Sequence, residues 1–336
     1  MLDLSTLEKY DSQQMYKVYD IWPEIAQKSF EAEHESVNFE NIKHIVIAGM
    51  GGSGAIGDIF ASILSKSKIH INVVKGYTLP QTIDSNTLVI VISVSGNTDE
   101  TLSVLKSAHQ FGCKIIAFSS GGKTKEYCEI NKIEYKFVPQ YHSPRASFTS
   151  YLYTILKVLH STFKIKQDDI TESIIEMKKT RDKIMSSNIS NENPSLKLAK
   201  SITGIPVIYY PFGLQSAAIR FKNSLQENAK IHAMVENIVE TCHNGIVSWE
   251  RISNAQPILI QGADDFIKTK ERWKIVKKYF KKNNINYFEL VSIEGSILSK
   301  IINLIYVLDY SSIYLAAMSK TDPTPVKSIE LIKSKL

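Results

Sequence analysis

A run of apolar residues, HIVIA (His44–Ala48), enters a turn with glycine at 49, 51, 52 and 54, and a helical period follows from about Ala55 to Leu64. Strand, glycine turn and helix in that order leave few folds open. The turn brings a helix N-terminus, with its free N–H groups and positive dipole end, to the carboxyl edge of a strand, where α/β sheets hold anions. Gly49, Gly51 and Gly54 keep the G-x-G-x-x-G spacing of a dinucleotide fingerprint, but the same turn suits any phosphate.

Further β-rich runs at Ile69–Val74, Thr87–Val94 and Lys114–Phe118 alternate with helical periods at Thr98–Phe111 and Ser147–Phe163. The second half repeats the order, with strand Ile205–Tyr210, a turn at Gly213, helix Ser216–Gln226, strand Gln256–Gln261, helix Lys268–Phe280 and strand Asn286–Leu290. Such alternation predicts α/β architecture, with parallel sheets covered by helices on both faces. Two glycine turns with matching element order predict tandem domains. The expected division is a first domain over 1–165 with a helical N-terminal extension, a linker helix over 166–195, a second domain over 196–320 and a tail helix over 321–336. The second domain closes with an apolar helix over Asn303–Lys320. In the tail, Val326, Ile329 and Ile332 recur at helical spacing, which predicts that the last helix docks on the body.

Composition removes several function classes. At 336 residues, with 43% apolar and 22% charged residues, the chain can build two ordinary globular cores. Cys113, Cys128 and Cys242 form no C-x-x-C pair, and no H-x-H or H-E-x-x-H cluster is present. The expectation is no metal and no disulfide framework, with acid–base groups carrying the chemistry. The net charge of +6 includes one dense run, KKYFKK, over Lys277–Lys282. Without an accompanying recognition motif it reads as a solvated helix face and not a nucleic-acid contact. No apolar run is read as reaching the roughly 18 residues that span a bilayer. The opening MLDLSTLEKYDSQQ has no apolar h-region, so cytoplasm is the expected location.

A dinucleotide site wants an acid about twenty residues past the glycines, at the end of the second strand. Here that strand ends in Lys75–Gly76–Tyr77, where Lys75 would suit only an NADP 2′-phosphate. A second segment argues for a smaller ligand. VISVSGNTDET (Val91–Thr101) ends a strand in Ser93, Ser95, Gly96, Asn97 and Thr98 and starts a helix at once. Helix capping by Ser95 and Thr98 accounts for one hydroxyl. It does not account for a cluster facing a second glycine turn that carries Ser53. Hydroxyls and backbone N–H groups suit one terminal phosphate without a lysine or Mg²⁺.

GMGGSG followed by S-x-S-G-N-T-x-E-T resembles the sugar-isomerase (SIS) domain. RFKNSLQENAK (Arg220–Lys230), ETCHN (Glu240–Asn244) and the DPTPV tail narrow the resemblance to the bifunctional phosphoglucose/phosphomannose isomerases of archaea and some bacteria. The resemblance implies two tandem SIS domains, each a flavodoxin-like three-layer sandwich, and a homodimer with its active sites near the subunit interface. It implies hexose 6-phosphate substrates, no cofactor, and no nucleic-acid or membrane partner. Ser53, Ser93, Ser95 and Thr98, with the Gly52 backbone, are then the phosphate contacts. Glu227 matches the proton-shuttling base, His243 a ring-opening residue given by the partner subunit, Arg145 of the HSPRAS segment the enediolate stabiliser, and Lys333 a helper in ring opening. From the residues alone, Glu227 closes a helix whose dipole disfavours a carboxylate, His142 and His232 compete with His243, and Lys333 reads as a solvated lysine. Cys242 stands where relatives often carry another histidine, and adjacent residues point apart, against a Cys–His dyad. Val326 departs from a threonine found in some relatives, with Thr324 close by.

Three other readings stay open at this stage. A SIS-type regulator would bind the ligand without turnover but should carry an N-terminal helix-turn-helix, and none is read in the first forty residues. A glucosamine 6-phosphate isomerase or deaminase would share the phosphate site. An NADP-dependent oxidoreductase would use the glycine turn differently.

Overall fold

The computed structural model describes residues 2–335. Three short helices come first, α1 (Leu4–Tyr10), α2 (Met15–Asp20) and α3 (Trp22–Glu31). Then follow β1 (His44–Ala48), α4 (Gly51–Ile63), β2 (His70–Val74), β3 (Leu88–Ser93), α5 (Asp99–Gln110), β4 (Lys114–Ser119), α6 (Gly122–Asn131), β5 (Glu134–Phe137), α7 (Phe148–Phe163), α8 (Gln167–Ile184) and α9 (Pro194–Ser201). The remainder is β6 (Ile205–Tyr210), α10 (Gln215–Ser224), a π-helical turn (Leu225–Ala229), β7 (Met234–Asn237), α11 (Ile238–Thr241), a 3₁₀ turn (Gly245–Glu250), β8 (Ala255–Gln261), α12 (Ile267–Lys282), β9 (Phe288–Val291), α13 (Ile297–Met318) and α14 (Lys327–Lys333).

The chain divides into two compact units. One holds Ile21–Ile175 with Ser296–Leu298, and the other Met1–Asp20, Glu176–Gly295 and Ser299–Leu336. The first contains a five-stranded parallel sheet in the order β2-β1-β3-β4-β5, the flavodoxin-like order. The middles of its central strands are apolar because both faces are covered, and all six residues of β3 are buried. Val46 and Ala48 of β1 join Val104, Leu105 and Ala108 of α5 in one cluster. On the opposite face, a side chain at Gly57 of α4 would strike Ile47 and Val73. Right-handed crossovers require that split, since the path from β1 to β2 runs one way along the sheet and that from β3 to β4 the other.

The second unit repeats the scheme with a four-stranded parallel sheet, β7-β6-β8-β9. Val207, Tyr209, Ile238, Leu259, Trp273, Val276 and Phe280 form a core on one of its faces. Phe280 is the buried member of the KKYFKK run, and Lys277 pairs with Glu289 at 2.6 Å, as a solvated helix face requires. Residues 1–20 belong to this unit although sequence order sets them beside the first sheet. Tyr310 Oη donates to Asp20 Oδ1 (2.6 Å), Ser186 donates to the same carboxylate, and Tyr306 Oη donates to the Tyr19 carbonyl.

Two expectations are corrected. α13 is 22 residues long, starts six residues earlier than read from the sequence, and is apolar enough to cross a membrane, although no such run was expected. It is a core helix: 89% of its most apolar window is buried in the protein. Its polar residues have internal partners, among them Lys300 with Asp264 (2.5 Å) and Asn303 with Thr180 (2.8 Å), so they did not need to break it. The tail helix α14 does not dock within the chain. None of its residues is buried, and Ile329, Leu331 and Ile332 are exposed, because its two turns meet no facing surface among the described residues.

Candidate active site

In the first unit, β1 and β3 are neighbours from which the chain departs in opposite directions, leaving a crevice at their carboxyl ends. Two helices start there, α4 at Gly51 and α5 at Asp99. Gly51 and Gly52, at the first helical positions, have no intrahelical acceptor for their N–H groups, and Ser53 follows, buried. Gly52 is glycine for a reason of space. A Cβ there would lie 3.3 Å from the Pro144 carbonyl and 3.4 Å from Arg145 Cα. The absence of a side chain thus lets the Arg145 segment press against the glycine turn. Ser147 shapes that segment, its hydroxyl accepting from the Tyr141 N–H (2.8 Å) and donating to the Ser143 carbonyl (2.9 Å). Arg145 itself is buried.

The second loop, Ser93–Thr98, is held by α6. Thr124 donates to the Gly96 carbonyl through both its hydroxyl and its N–H (2.9 Å each), and Lys123 N–H donates to Asn97 Oδ1 (3.0 Å). Gly96 has φ +70°, and a Cβ on it would overlap the Gly121 carbonyl at 1.8 Å. Thr98 occupies the N-cap position of α5 without making a side-chain cap. Its hydroxyl instead accepts from Ser93 Oγ (3.2 Å), and that of Ser95 accepts from the Asn97 N–H (3.3 Å). Each of these two hydroxyls therefore keeps its own proton to donate. The capping role weighed against them in the sequence is not realised.

In the second unit, α10 does not end as an α-helix. At Leu225 it widens into a π-turn, and the half-buried Glu227 sits inside that turn. π-turns of this kind concentrate at functional sites. The buried side of α10 is pinned to α13 by polar contacts four residues apart. Arg220 Nε and Nη2 reach Asp309 Oδ2 at 2.8 and 2.7 Å, Ser224 Oγ donates to Asp309 Oδ1 at 2.7 Å, and Asn228 Nδ2 donates to Ser312 Oγ at 2.8 Å. Burial pushes the Asp309 carboxyl above its ordinary range. Arg220 and the Ser224 hydroxyl pull it back, and the charge of Glu227 adds to the rise. Lys230, in left-handed backbone, closes the turn and donates to the Glu227 and Pro323 carbonyls.

His243 is exposed at the end of α11, while Cys242 packs against the core beside Trp273 and Ile238. The two side chains point apart, as expected of neighbours. Lys333 lies on exposed α14. The carboxyl end of β8 carries Gly262, Ala263, Asp264 and Asp265 where β3 carries Ser95, Gly96, Asn97 and Thr98. Trp273 Nε1 donates to Asp265 (2.9 Å), and two carboxylates at that turn oppose a phosphate. The repeat is one of architecture and not of ligand chemistry.

A bifunctional phosphoglucose/phosphomannose isomerase from Caldicellulosiruptor bescii is 34% identical to this chain, over 95% of the chain and 97% of the relative. The chain belongs to the bifunctional phosphoglucose/phosphomannose isomerase family. A profile described as the bacterial phospho-glucose isomerase C-terminal SIS domain matches residues 191–336, and a SIS-domain profile matches 38–133. The α/β reading with tandem SIS domains therefore stands. The family's neighbourhood includes other chemistry: a D-glucosamine-6-phosphate 4-epimerase from Sulfolobus acidocaldarius is 31% identical over 73% of this chain and 77% of its own length. In fold, the chain resembles the C-terminal domain of glucosamine-fructose-6-phosphate aminotransferase from Francisella tularensis (TM-score 0.68, 16% identity, 92% of this chain and 96% of that one).

Within this isomerase-family chain, Lys75 is engaged by Asp58 of α4 at 2.6 Å, so the cation reserved for an NADP phosphate already has a carboxylate. A recess of about 1000 Å³ in the first unit lies at the opposite edge of the sheet, lined by Lys43, Lys66, Lys68 and Lys164. Three of these lysines follow the C-termini of α4 and α7, where cations complement the helix dipole. Sequence reading gave no role to Arg220, Asn228, Asp309 or Ser312. The one signal for them was polar residues at 220, 224 and 228 on a single helical face.

Proposed function

We propose that this chain is a metal-independent isomerase that interconverts glucose 6-phosphate and mannose 6-phosphate with fructose 6-phosphate. The observation that carries the reading is the pair of hydroxyls, Ser95 and Thr98, which accept hydrogen bonds and donate to no acceptor among the described residues, at a crevice flanked by two helix N-termini. Membership of the family supports the substrate class. In this proposal Ser53, Ser93, Ser95, Thr98 and the Gly52 N–H hold the phosphate, a site built of dipoles and hydroxyls that needs no metal. His243 and Lys333 assist ring opening. Glu227 takes the proton from C2 and returns it to C1 through a cis-enediol, and Arg145 offsets the charge of the enediolate. The two aldoses differ only at C2. Removing that proton erases the difference, and rotation about C2–C3 presents either face of the enediol to the same base.

The reading extends to a cytoplasmic homodimer in which His243 is given by the partner subunit. The exposure of His243 and of the apolar face of α14 supports it. An amino-sugar phosphate is the second reading, favoured by the likeness to the 4-epimerase. One assay separates them. With excess chelator, glucose 6-phosphate and mannose 6-phosphate are each converted and fructose 6-phosphate is measured, beside an arm with glucosamine 6-phosphate. Turnover of both neutral sugars supports the proposal; turnover of the amino sugar alone overturns it.

A further inference from the structure

An ion pair as deeply buried as Arg220–Asp309 asks for an explanation. Arg220 is 2% exposed and Asp309 fully buried. Taking two charges out of water costs several kcal/mol per ion, and apolar residues of similar volume often serve stability as well or better. Stability is thus a poor account of why this helix pair uses charges. Direction is a better one. A guanidinium and a carboxylate in contact through Nε and Nη2 fix rotation and register in a way that apolar packing does not.

The seam continues toward the π-turn. Ser224 occupies the second oxygen of Asp309, and Asn228, one residue past Glu227, is held by Ser312. Ser312 in turn donates to the Asp309 carbonyl at 2.6 Å, so both ends of the seam converge on one turn of α13. A π-turn inserts an extra residue into the helix it interrupts. Side-chain contacts flank this one, at Ser224 three residues before Glu227 and at Asn228 one residue after it, while Lys230 closes the turn beyond.

Resting on the role proposed above for Glu227, we propose that Arg220, Asp309 and Ser312 are positioning residues for proton transfer. They hold the π-turn in the one rotation that aims the Glu227 carboxylate. None of the three touches substrate in this account, and the phosphate crevice belongs to other elements. Loss of the seam should therefore leave binding alone and slow the chemical step, since a misplacement of about 1 Å can cost on the order of a hundredfold.

The test uses the full chain and the double substitution Arg220→Met with Asp309→Leu, which removes both charges and strands neither. The variant should melt within a few degrees of the parent. Inorganic phosphate affinity and KM for glucose 6-phosphate should stay within about twofold. Turnover and exchange of the C2 proton with heavy water should fall together by tenfold or more, and the isotope effect with C2-deuterated substrate should rise. A mere loss of folded enzyme lowers turnover without moving the isotope effect. A folded double variant with parental turnover overturns the inference. If it does not fold, Ser312→Ala serves alone, with turnover expected to fall about threefold or more at unchanged KM; unchanged turnover again overturns it. Glu227→Gln run in parallel tells the two failures apart. If that variant keeps full proton exchange, the role of Glu227 falls and the inference with it. If it loses exchange while the seam variants are normal, only the positioning role falls.

Discussion

Replacing Ser95 by alanine distinguishes a ligand hydroxyl from a structural one. The Ser95 side chain is exposed, and among the described residues its bond is as acceptor from the Asn97 N–H at 3.3 Å, a long contact within reach of water. Losing it should change stability by less than about 0.5 kcal/mol, as for most exposed substitutions, or a melting shift of no more than roughly 2 °C. Were Ser95 a helix cap, alanine would cost about 1 kcal/mol of stability and nothing in affinity. A donor to a phosphate behaves the other way. A hydrogen bond to a charged group is worth about 1.5–3 kcal/mol, so affinity should fall roughly ten- to a hundredfold. Titration calorimetry with fructose 6-phosphate and, separately, with inorganic phosphate reads the loss, and both should weaken in parallel because they share the group being held. A lowered melting point with unchanged phosphate affinity would refute the reasoning.

Glu227→Gln should bind fructose 6-phosphate normally while exchange of the C2 proton of glucose 6-phosphate, followed by NMR in heavy water, falls by a factor of hundreds. Near-parental exchange would transfer the role of base to His243 or His232. Dialysis against EDTA should leave isomerase activity intact, and activity lost and then restored by zinc would sink the metal-free chemistry. Asp264 is held below the ordinary carboxylate range chiefly by its hydrogen bond with Lys300. Because folding lowers its pKa, that contribution is present above the unfolded value near 4 and fades as pH falls. Asp264→Asn should thus melt below the parent at neutral pH, by a small margin for so exposed a side chain, with the gap closing toward pH 3; a gap independent of pH would contradict this.

The central strands were legible because burial on both faces demands continuous apolar runs, and the glycine turns because close approach and positive φ admit little else. The edge strands β5 and β7 were not seen, since EYKF and MVEN are half-exposed and carry no such run. At the crevice, residue types and their order along the chain pointed to phosphate, but which hydroxyls retain a proton depends on the bonds among Ser93, Ser95, Asn97 and Thr98. The π-turn was invisible, because LQENA continues an α-helical pattern without a break. So was the partner of Arg220, which lies 89 residues away. The tail misled for the converse reason: a helical apolar period predicts a buried face but does not say which molecule buries it.

The grouping of residues 1–20 with the second sheet has a consequence for synthesis on the ribosome. The Asp20 carboxylate awaits Tyr310, 290 residues further along the chain. At bacterial to eukaryotic elongation rates that interval is roughly 15–60 s. The unit built from Ile21–Ile175 can collapse during it, completed later only by Ser296–Leu298. Until α13 has emerged, the Tyr19 carbonyl lacks Tyr306 and the Asp20 carboxylate lacks Tyr310, while the Asp20 contact with Ser186 can form earlier. The segment that ends in Tyr19 and Asp20 thus completes its contacts late. A nascent chain stalled before residue 297 lacks the two tyrosine hydroxyls that tie this segment to α13.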